Sequence, residues 1–275
     1  MKDAVTARDL VISYGDAVAL DRSTFSIPRG TVTAIIGPNG SGKSTLLNAI
    51  AGLIEPRSGS ISVPARADGN HRIAYVLQTT KLNDTLPVSV QEVVTMGRYA
   101  GLGGYRRLTA DDRAAVRSAM ERTGITDLSS RHLTELSGGQ RQRAFVAQGM
   151  AQDHDLLLLD EPLTGIDLTT AQAIDEAIHA EIEKGCTVIL TTHDLSEAEV
   201  ADWVMLLSGR VVAAGPPRDV LTPDNLTDAY GPSLLHVSEG RIFIDDAAHM
   251  PVDERHVHRE ISIHTESSRT DAHPD

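Results

Sequence analysis

The stretch TVTAIIGPNGSGKSTLLNAIAGL, residues 31–53, decides the fold. It opens with TVTAII, a β-branched and apolar run that reads as a buried strand. It closes with KSTLLNAIAGL, where Leu46, Leu47, Ile50 and Leu53 recur at the spacing of one core-facing helical side. Between them, GPNGSGKST at 37–45 sets Gly37, Gly42, Lys43 and Ser44 in the register G-x-x-x-x-G-K-[ST]. A strand, a glycine-rich loop and a helix start form the context in which that spacing cradles a phosphate chain. Glycines let backbone N–H groups turn toward an anion with no Cβ in the way. The helix that follows aims its positive end at the same anion. Lys43 is placed to reach the β- and γ-phosphates of ATP, and the Ser44 hydroxyl to coordinate Mg²⁺. Pro38, Asn39, Gly40, Ser41 and Thr45 complete the loop.

Further along, DLLLLDEP carries Asp160 at the tip of an apolar strand, with Glu161 next to it. In an open parallel sheet, ligands bind beyond the carboxyl ends of the strands. Asp160 is therefore placed to hold Mg²⁺ through water, and Glu161 to polarise an attacking water. The helical run 169–185 separates DLLLLD from CTVILTTHD, so the two apolar runs read as parallel strands. His193 ends the second run, where it would meet the γ-phosphate. Gln78 ends IAYVLQ in the same manner and is a candidate for both Mg²⁺ and the water.

Upstream, residues 5–36 read as short strands broken by turns, and 88–150 read as mostly helical. The last of these helices opens with LSGGQ, 136–140. Ser137 and Gln140 have the spacing of a capping box. That accounts for Ser and Gln but not for Gly138 and Gly139, each costing roughly 1 kcal/mol against alanine in a helix. Bare backbone at a helix N-terminus points to close approach of an anion.

Composition narrows the partners. The 275 residues carry a net charge of −13, which disfavours nucleic acid, whose phosphates need Lys and Arg. Cys186 is the one cysteine, so no intrachain disulfide forms, and its place at the head of an apolar run reads as a buried thiol. The polar N-terminus shows no signal peptide, and no window reaches the ~18 apolar residues needed to cross a bilayer. Residues 236–275 hold nine Asp or Glu, no Lys and six of the eleven histidines. His256-x-His258 is their one close pair, so a solvated tail with a disordered end is the expectation, and a metal sensor the alternative.

Taken in order, the phosphate loop, Gln78, LSGGQ, the Asp160–Glu161 pair, a Leu163–Asp167 segment and His193 resemble the nucleotide-binding subunits of ABC transporters, over residues 5 to about 220. The resemblance implies an α/β fold: a P-loop NTPase, RecA-like core with an antiparallel β subdomain and an α-helical signature subdomain. It implies a nucleotide-binding domain over 1–235, helical from about 88 to 150, and a tail at 236–275. It also implies a head-to-tail homodimer, in which Ser137, Gly138 and Gly139 of one subunit contact the γ-phosphate held by the other, with Gln140 completing the motif. Tyr14 stands where the family places an aromatic that stacks on adenine; a core tyrosine is the other reading. Thr164-Gly165-Ile166-Asp167 and Gln148-Gly149-Met150 depart mildly from the commoner family forms.

MGRYAGLGGYRRLTADDRAAV, with LSGGQRQRAFVAQGMAQ and DEPLTGID, is similar to the ATPases of zinc and manganese importers, and more distantly to those for siderophores, heme and cobalamin. What this implies is a peripheral subunit at the cytoplasmic face of the cell membrane. Its partners would be integral membrane permease subunits and, indirectly, an extracytoplasmic solute-binding protein. Residues 79–105, including Pro87 and a glycine-rich connector, would receive the permease. A soluble ABC ATPase acting on nucleic acid is the remaining alternative, against which the acidic charge counts.

Overall fold

A computed structural model describes residues 3–69, 72–78, 87–99, 107–231, 235–238 and 241–244. The chain begins with a long antiparallel hairpin, β1 (Asp3–Tyr14) and β2 (Ala17–Pro28). β3 (Val32–Ile36), α1 (Lys43–Ala51), β4 (Ser58–Ser62) and β5 (Ile73–Val76) follow. Next come the helices α2 (Val90–Tyr99), α3 (Ala110–Arg122) and α4 (Gly138–Met150). β6 (Leu156–Leu159), α5 (Leu168–Glu183), β7 (Thr187–Thr191) and α6 (Leu195–Glu199) return to the strand-helix pattern. β8 (Trp203–Leu207), β9 (Val211–Gly215), α7 (Pro217–Val220) and α8 (Pro223–Tyr230) precede a last hairpin, β10 (Leu235–Ser238) and β11 (Arg241–Ile244).

The main sheet has the order β5-β6-β7-β3-β8-β9, parallel except for β9. It is covered on both faces, which explains its unbroken apolar runs. Alternate residues of one strand enter different cores. Leu157 and Leu159 pack with Ala34, Val188 and Leu206, together with side chains of α2, α3, α4 and α5. Leu156 and Leu158 pack with Ile35, Ile189 and Met205, together with Leu46, Leu47 and Ile50 of α1 and the β1–β2 hairpin. The antiparallel sheet β2-β1-β4 thus backs α1, and the helical segment lies on the opposite side.

Several local expectations need revision. The N-terminal strands are not short: each has 12 residues, and register shifts interrupt the pairing without ending it. Leu53 does not face the core; Gly52 ends α1 in the left-handed region, and Leu53 beyond it is 67% exposed. β4 (SGSIS) is mostly exposed and has one apolar residue, Ile61, which packs on the hairpin core; backbone pairing with β1 holds the rest. Within the stretch read as a tail, residues 236–238 and 241–244 take part in the hairpin β10–β11. The close histidine pair His256 and His258 lies outside the described residues.

In the helical segment, Thr109 caps α3 through Asp112, whose carboxylate also pairs with Arg98 of α2 at 2.8 Å. The Thr109 N–H and hydroxyl, then the Arg98 guanidinium, hold the Asp112 carboxyl down at about 2. One carboxylate thereby ties a helix cap to the neighbouring helix, fixing α2 against α3.

Candidate nucleotide site

β3, β5, β6 and β7 run parallel, so their carboxyl ends share one edge. That edge receives the phosphate loop after β3, Gln78 after β5, Asp160 and Glu161 after β6, and His193 after β7.

The loop itself is built for close backbone approach. A Cβ on Gly37 would sit 2.2 Å from the Leu207 carbonyl oxygen of β8. Gly42 has φ +101 and backs onto the Ala19 carbonyl of β2. α1 begins at Gly42 without any side-chain cap, leaving its first N–H groups for another acceptor. Ser41 Oγ is buried in the loop and has no hydrogen-bond partner among the described residues. These features fit a bound polyphosphate. Lys43, 6% exposed, curls across the loop; its Nζ donates to Gly37 O at 2.8 Å and Pro38 O at 3.3 Å. Burial pulls the Lys43 ammonium down, and the nearby charges of Glu161 and Asp160 oppose that shift. Ser44 is exposed at the mouth of the loop, with Thr45 half-buried beside it; Pro38, Asn39 and Gly40 form its outer rim. Tyr14 is 53% exposed at the β1–β2 turn, not a core residue, and Ala19 of the same hairpin touches Gly42.

The carboxylates are held by a residue that sequence reading overlooked. Thr191, fully buried at the end of β7, donates from Oγ1 to Asp160 Oδ1 at 2.6 Å. The same hydroxyl accepts the Glu161 N–H at 2.8 Å. Glu161 has φ +48, a left-handed conformation that costs a non-glycine residue of order 1–3 kcal/mol. The Thr191 bond helps hold that turn, which swings Glu161 off the strand line. Gln78 Nε2 donates to Glu161 Oε2 at 2.7 Å, so Gln78 orients the carboxylate directly. Threonine is ordinary in a strand. The signal lay in the pairing: Leu159 lies opposite Leu190, which sets Asp160 beside Thr191. Replacing Thr191 with valine keeps the shape and removes both bonds. Turnover is expected to fall about 10–100-fold with ATP affinity little changed, as one hydrogen bond to a charged group is worth about 1.5–3 kcal/mol. Steady-state kinetics separating kcat from KM checks this.

Ser44, Gln78 and Asp160 offer a hydroxyl, an amide and a carboxylate, the oxygen donors that suit a hard divalent cation. His193 is exposed at the same edge, two positions beyond Thr191.

LSGGQ sits elsewhere. Ser137 caps α4 in the expected capping box: Gln140 N donates to Ser137 Oγ at 3.3 Å, and Ser137 N to Gln140 Oε1 at 3.0 Å. The two glycines then part company. A Cβ on Gly138 would meet nothing within 4 Å, whereas one on Gly139 would lie 2.8 Å from Thr170 Oγ1 and 3.4 Å from Asp167 Oδ2. Gly139 thus has a reason within its own chain, close packing on the start of α5, which Asp167 caps. Gly138 and Ser137 face solvent.

A groove of about 840 Å³ opens on the helical segment, lined by Val88, Gln91, Met96, Tyr99, Arg113 and Met120 among others. Met96 and Tyr99 are 45% and 54% exposed. Of the stretch expected to receive a partner, Pro87 borders this groove's first residue in sequence, and 79–86 and 100–105 lie outside the described residues.

Known proteins resemble this chain over most of its length. A family profile described as "ABC transporter" matches residues 20–164. The chelated iron transport system membrane protein YfeB of Yersinia pestis is 39% identical, over 86% of this chain and 83% of that one. The manganese transport system ATP-binding protein MntB of Bacillus subtilis is 37% identical, over 84% and 94%. The zinc transport system ATP-binding protein TroB of Treponema pallidum is 40% identical, over 83% and 87%. Among solved structures, cbiO1 of Clostridium perfringens, part of the ABC transporter complex cbiONQ, superposes with a TM-score of 0.69 at 29% identity, covering 83% of this chain and 94% of that one. With its phosphate loop, strand-end carboxylates and signature helix in one chain, this protein belongs to the ABC transporter family of ATP-binding proteins.

Proposed function

We propose that this chain hydrolyses ATP to drive import of zinc or manganese through a separate membrane permease. The observation that carries the catalytic reading is the single sheet edge where the phosphate loop, Asp160, Glu161 and Gln78 meet. The metal reading is supported by the relatives named for manganese, zinc and chelated iron transport.

In this reading the loop's N–H groups and Lys43 bind the ATP phosphates, and Tyr14 stacks on the adenine. Ser44, Gln78 and Asp160 would hold Mg²⁺, Asp160 through water. When bound, the ion neutralises charge that develops on the transferred phosphoryl group. Glu161 draws a proton from the attacking water, and His193 positions that water against the γ-phosphate. The bond to Gln78 aims the Glu161 carboxylate, and Thr191 holds its backbone.

The outward-facing Ser137 and Gly138 complete the site of a second copy, so the working unit is a head-to-tail homodimer. Residues 1–235 form the nucleotide-binding domain, with the helical part at about 88–150, and 236–275 form an appendage. The subunit sits peripherally at the cytoplasmic membrane face, and no helix among the described residues is long and apolar enough to cross a membrane. The groove at Met96 and Tyr99 receives the permease, and a solute-binding protein acts on the far side. The net charge of −13 gives no footing for nucleic acid.

The test is reconstitution with the candidate permease in vesicles. ATP-dependent uptake of zinc or manganese is expected. Intact ATP hydrolysis with uptake of neither ion would overturn the cargo reading.

A further inference from the structure

At the opposite edge of the main sheet, three side chains converge that the nucleotide chemistry does not use. His154 precedes β6, Cys186 precedes β7, and Glu181 lies in the last turn of α5. All are buried, with His154 at 7%, Cys186 at 8% and Glu181 at 2% exposure. One ligand atom from each lies within 4.8 Å of the others, the one such His, Cys, Asp or Glu group among the described residues.

The details favour a ligand set. His154 Nδ1 lies 3.0 Å from the Gln152 carbonyl, a contact that places the Nδ1 proton there and turns Nε2 inward. Nε2 stands 3.2 Å from Glu181 Oε2, yet forms no aligned hydrogen bond. The Cys186 thiol is 3.6 Å from the same Oε2 and 3.5 Å from the His154 carbonyl oxygen. Glu181 Oε1 is turned away, held by Arg122 of α3 and by Lys184 at 2.9 Å. The carboxylate thus gives one oxygen to cations of the protein and presents the other to the imidazole and thiol.

From this convergence we propose that His154 Nε2, Glu181 Oε2 and Cys186 Sγ form a binding site for one thiophilic divalent cation, of which Zn²⁺ is the best fit. Imidazole, carboxylate and thiolate are a zinc donor set, and thiolate disfavours Mn²⁺ and Mg²⁺. Charge permits the exchange. One dication replaces two protons, one from the His154–Glu181 pair and one from the thiol, so the net charge of the cluster is unchanged. The fourth position of a tetrahedral ion is left to water. The ion would clamp the C-terminal turn of α5 to the starts of β6 and β7. The site is independent of the transport reading, since it rests on residues far from the nucleotide edge.

Cobalt titration of the full chain tests it. Because Cys186 is the one cysteine, any thiolate-to-cobalt charge-transfer band must come from it. The expected result is a band that saturates at one equivalent, disappears on adding Zn²⁺, is absent in Cys186→Ser, and shifts to at least about tenfold weaker cobalt in His154→Ala. Circular dichroism and ATP binding check that the variants are folded, and the wild-type titration decides without them. Cobalt binding with no thiolate band would place the metal on other histidines and overturn the site. No cobalt binding would leave a buried His154–Glu181 ion pair and overturn it also. A band unchanged in both His154→Ala and Glu181→Gln would show the thiol acting without its neighbours, and the three-residue site would fall.

Discussion

Replacing Glu161 with glutamine is expected to lower ATP turnover by about 10²–10⁴-fold, the range typical for removing a general base. The substitution is nearly isosteric. The glutamine side-chain oxygen still accepts the 2.7 Å bond from Gln78 Nε2, and the backbone N–H still reaches Thr191. What is lost is basicity toward water. ATP affinity should hold or rise, because the neutral amide no longer competes with phosphate for the buried charge of Lys43. Single-turnover hydrolysis and equilibrium ATP binding, measured side by side, separate these effects. A variant that turned over within about threefold of wild type would remove Glu161 from the chemistry.

The second large effect concerns Gly138, which faces solvent at the start of α4. Gly138→Asp is expected to lower turnover by about 10²–10³-fold, comparable with loss of an oxyanion-stabilising donor, while leaving ATP binding by the isolated subunit intact. The fold should tolerate it, since a Cβ there meets nothing within 4 Å. A carboxylate in the first turn of α4 even favours the helix dipole. Its cost is repulsion of a γ-phosphate brought by a second copy. Mixing Gly138→Asp with Lys43→Ala should restore part of the activity, because the mixed pair contains one composite site with both elements intact. A mixture as inactive as its components would sink the head-to-tail arrangement. Gly139→Ala is the contrasting case: its methyl meets Thr170 and Asp167, so it should lower stability as well as activity.

How much of this was legible beforehand depended on the range of the physics involved. The phosphate loop was readable because its glycines, lysine and serine act within nine consecutive residues. The Asp160–Glu161 pair was readable because an apolar run ending in acids marks a strand tip. β4 was not, since SGSIS has a single apolar residue, Ile61, and backbone pairing with β1 does the rest. Leu53 was misplaced because helical spacing continues on paper past Gly52, where the left-handed turn ends the helix. The hairpin β10–β11 went unread inside a polar, histidine-bearing stretch.

By itself, then, the sequence determined the order of local devices: a glycine-rich loop between a strand and a helix, two strand-end carboxylates, and a capped helix beginning LSGGQ. Each follows from forces acting over a few residues. Only the tertiary structure decided which devices meet. Parallel pairing of β6 with β7 set Thr191 between Asp160 and Glu161, a contact across 31 and 30 positions of chain. Packing of α4 on α5 gave Gly139 a neighbour and left Gly138 facing solvent. The opposite sheet edge gathered His154, Glu181 and Cys186, none of which is marked by its local sequence. Register and helix packing are set by burial summed over the whole core, and no window of sequence contains that sum.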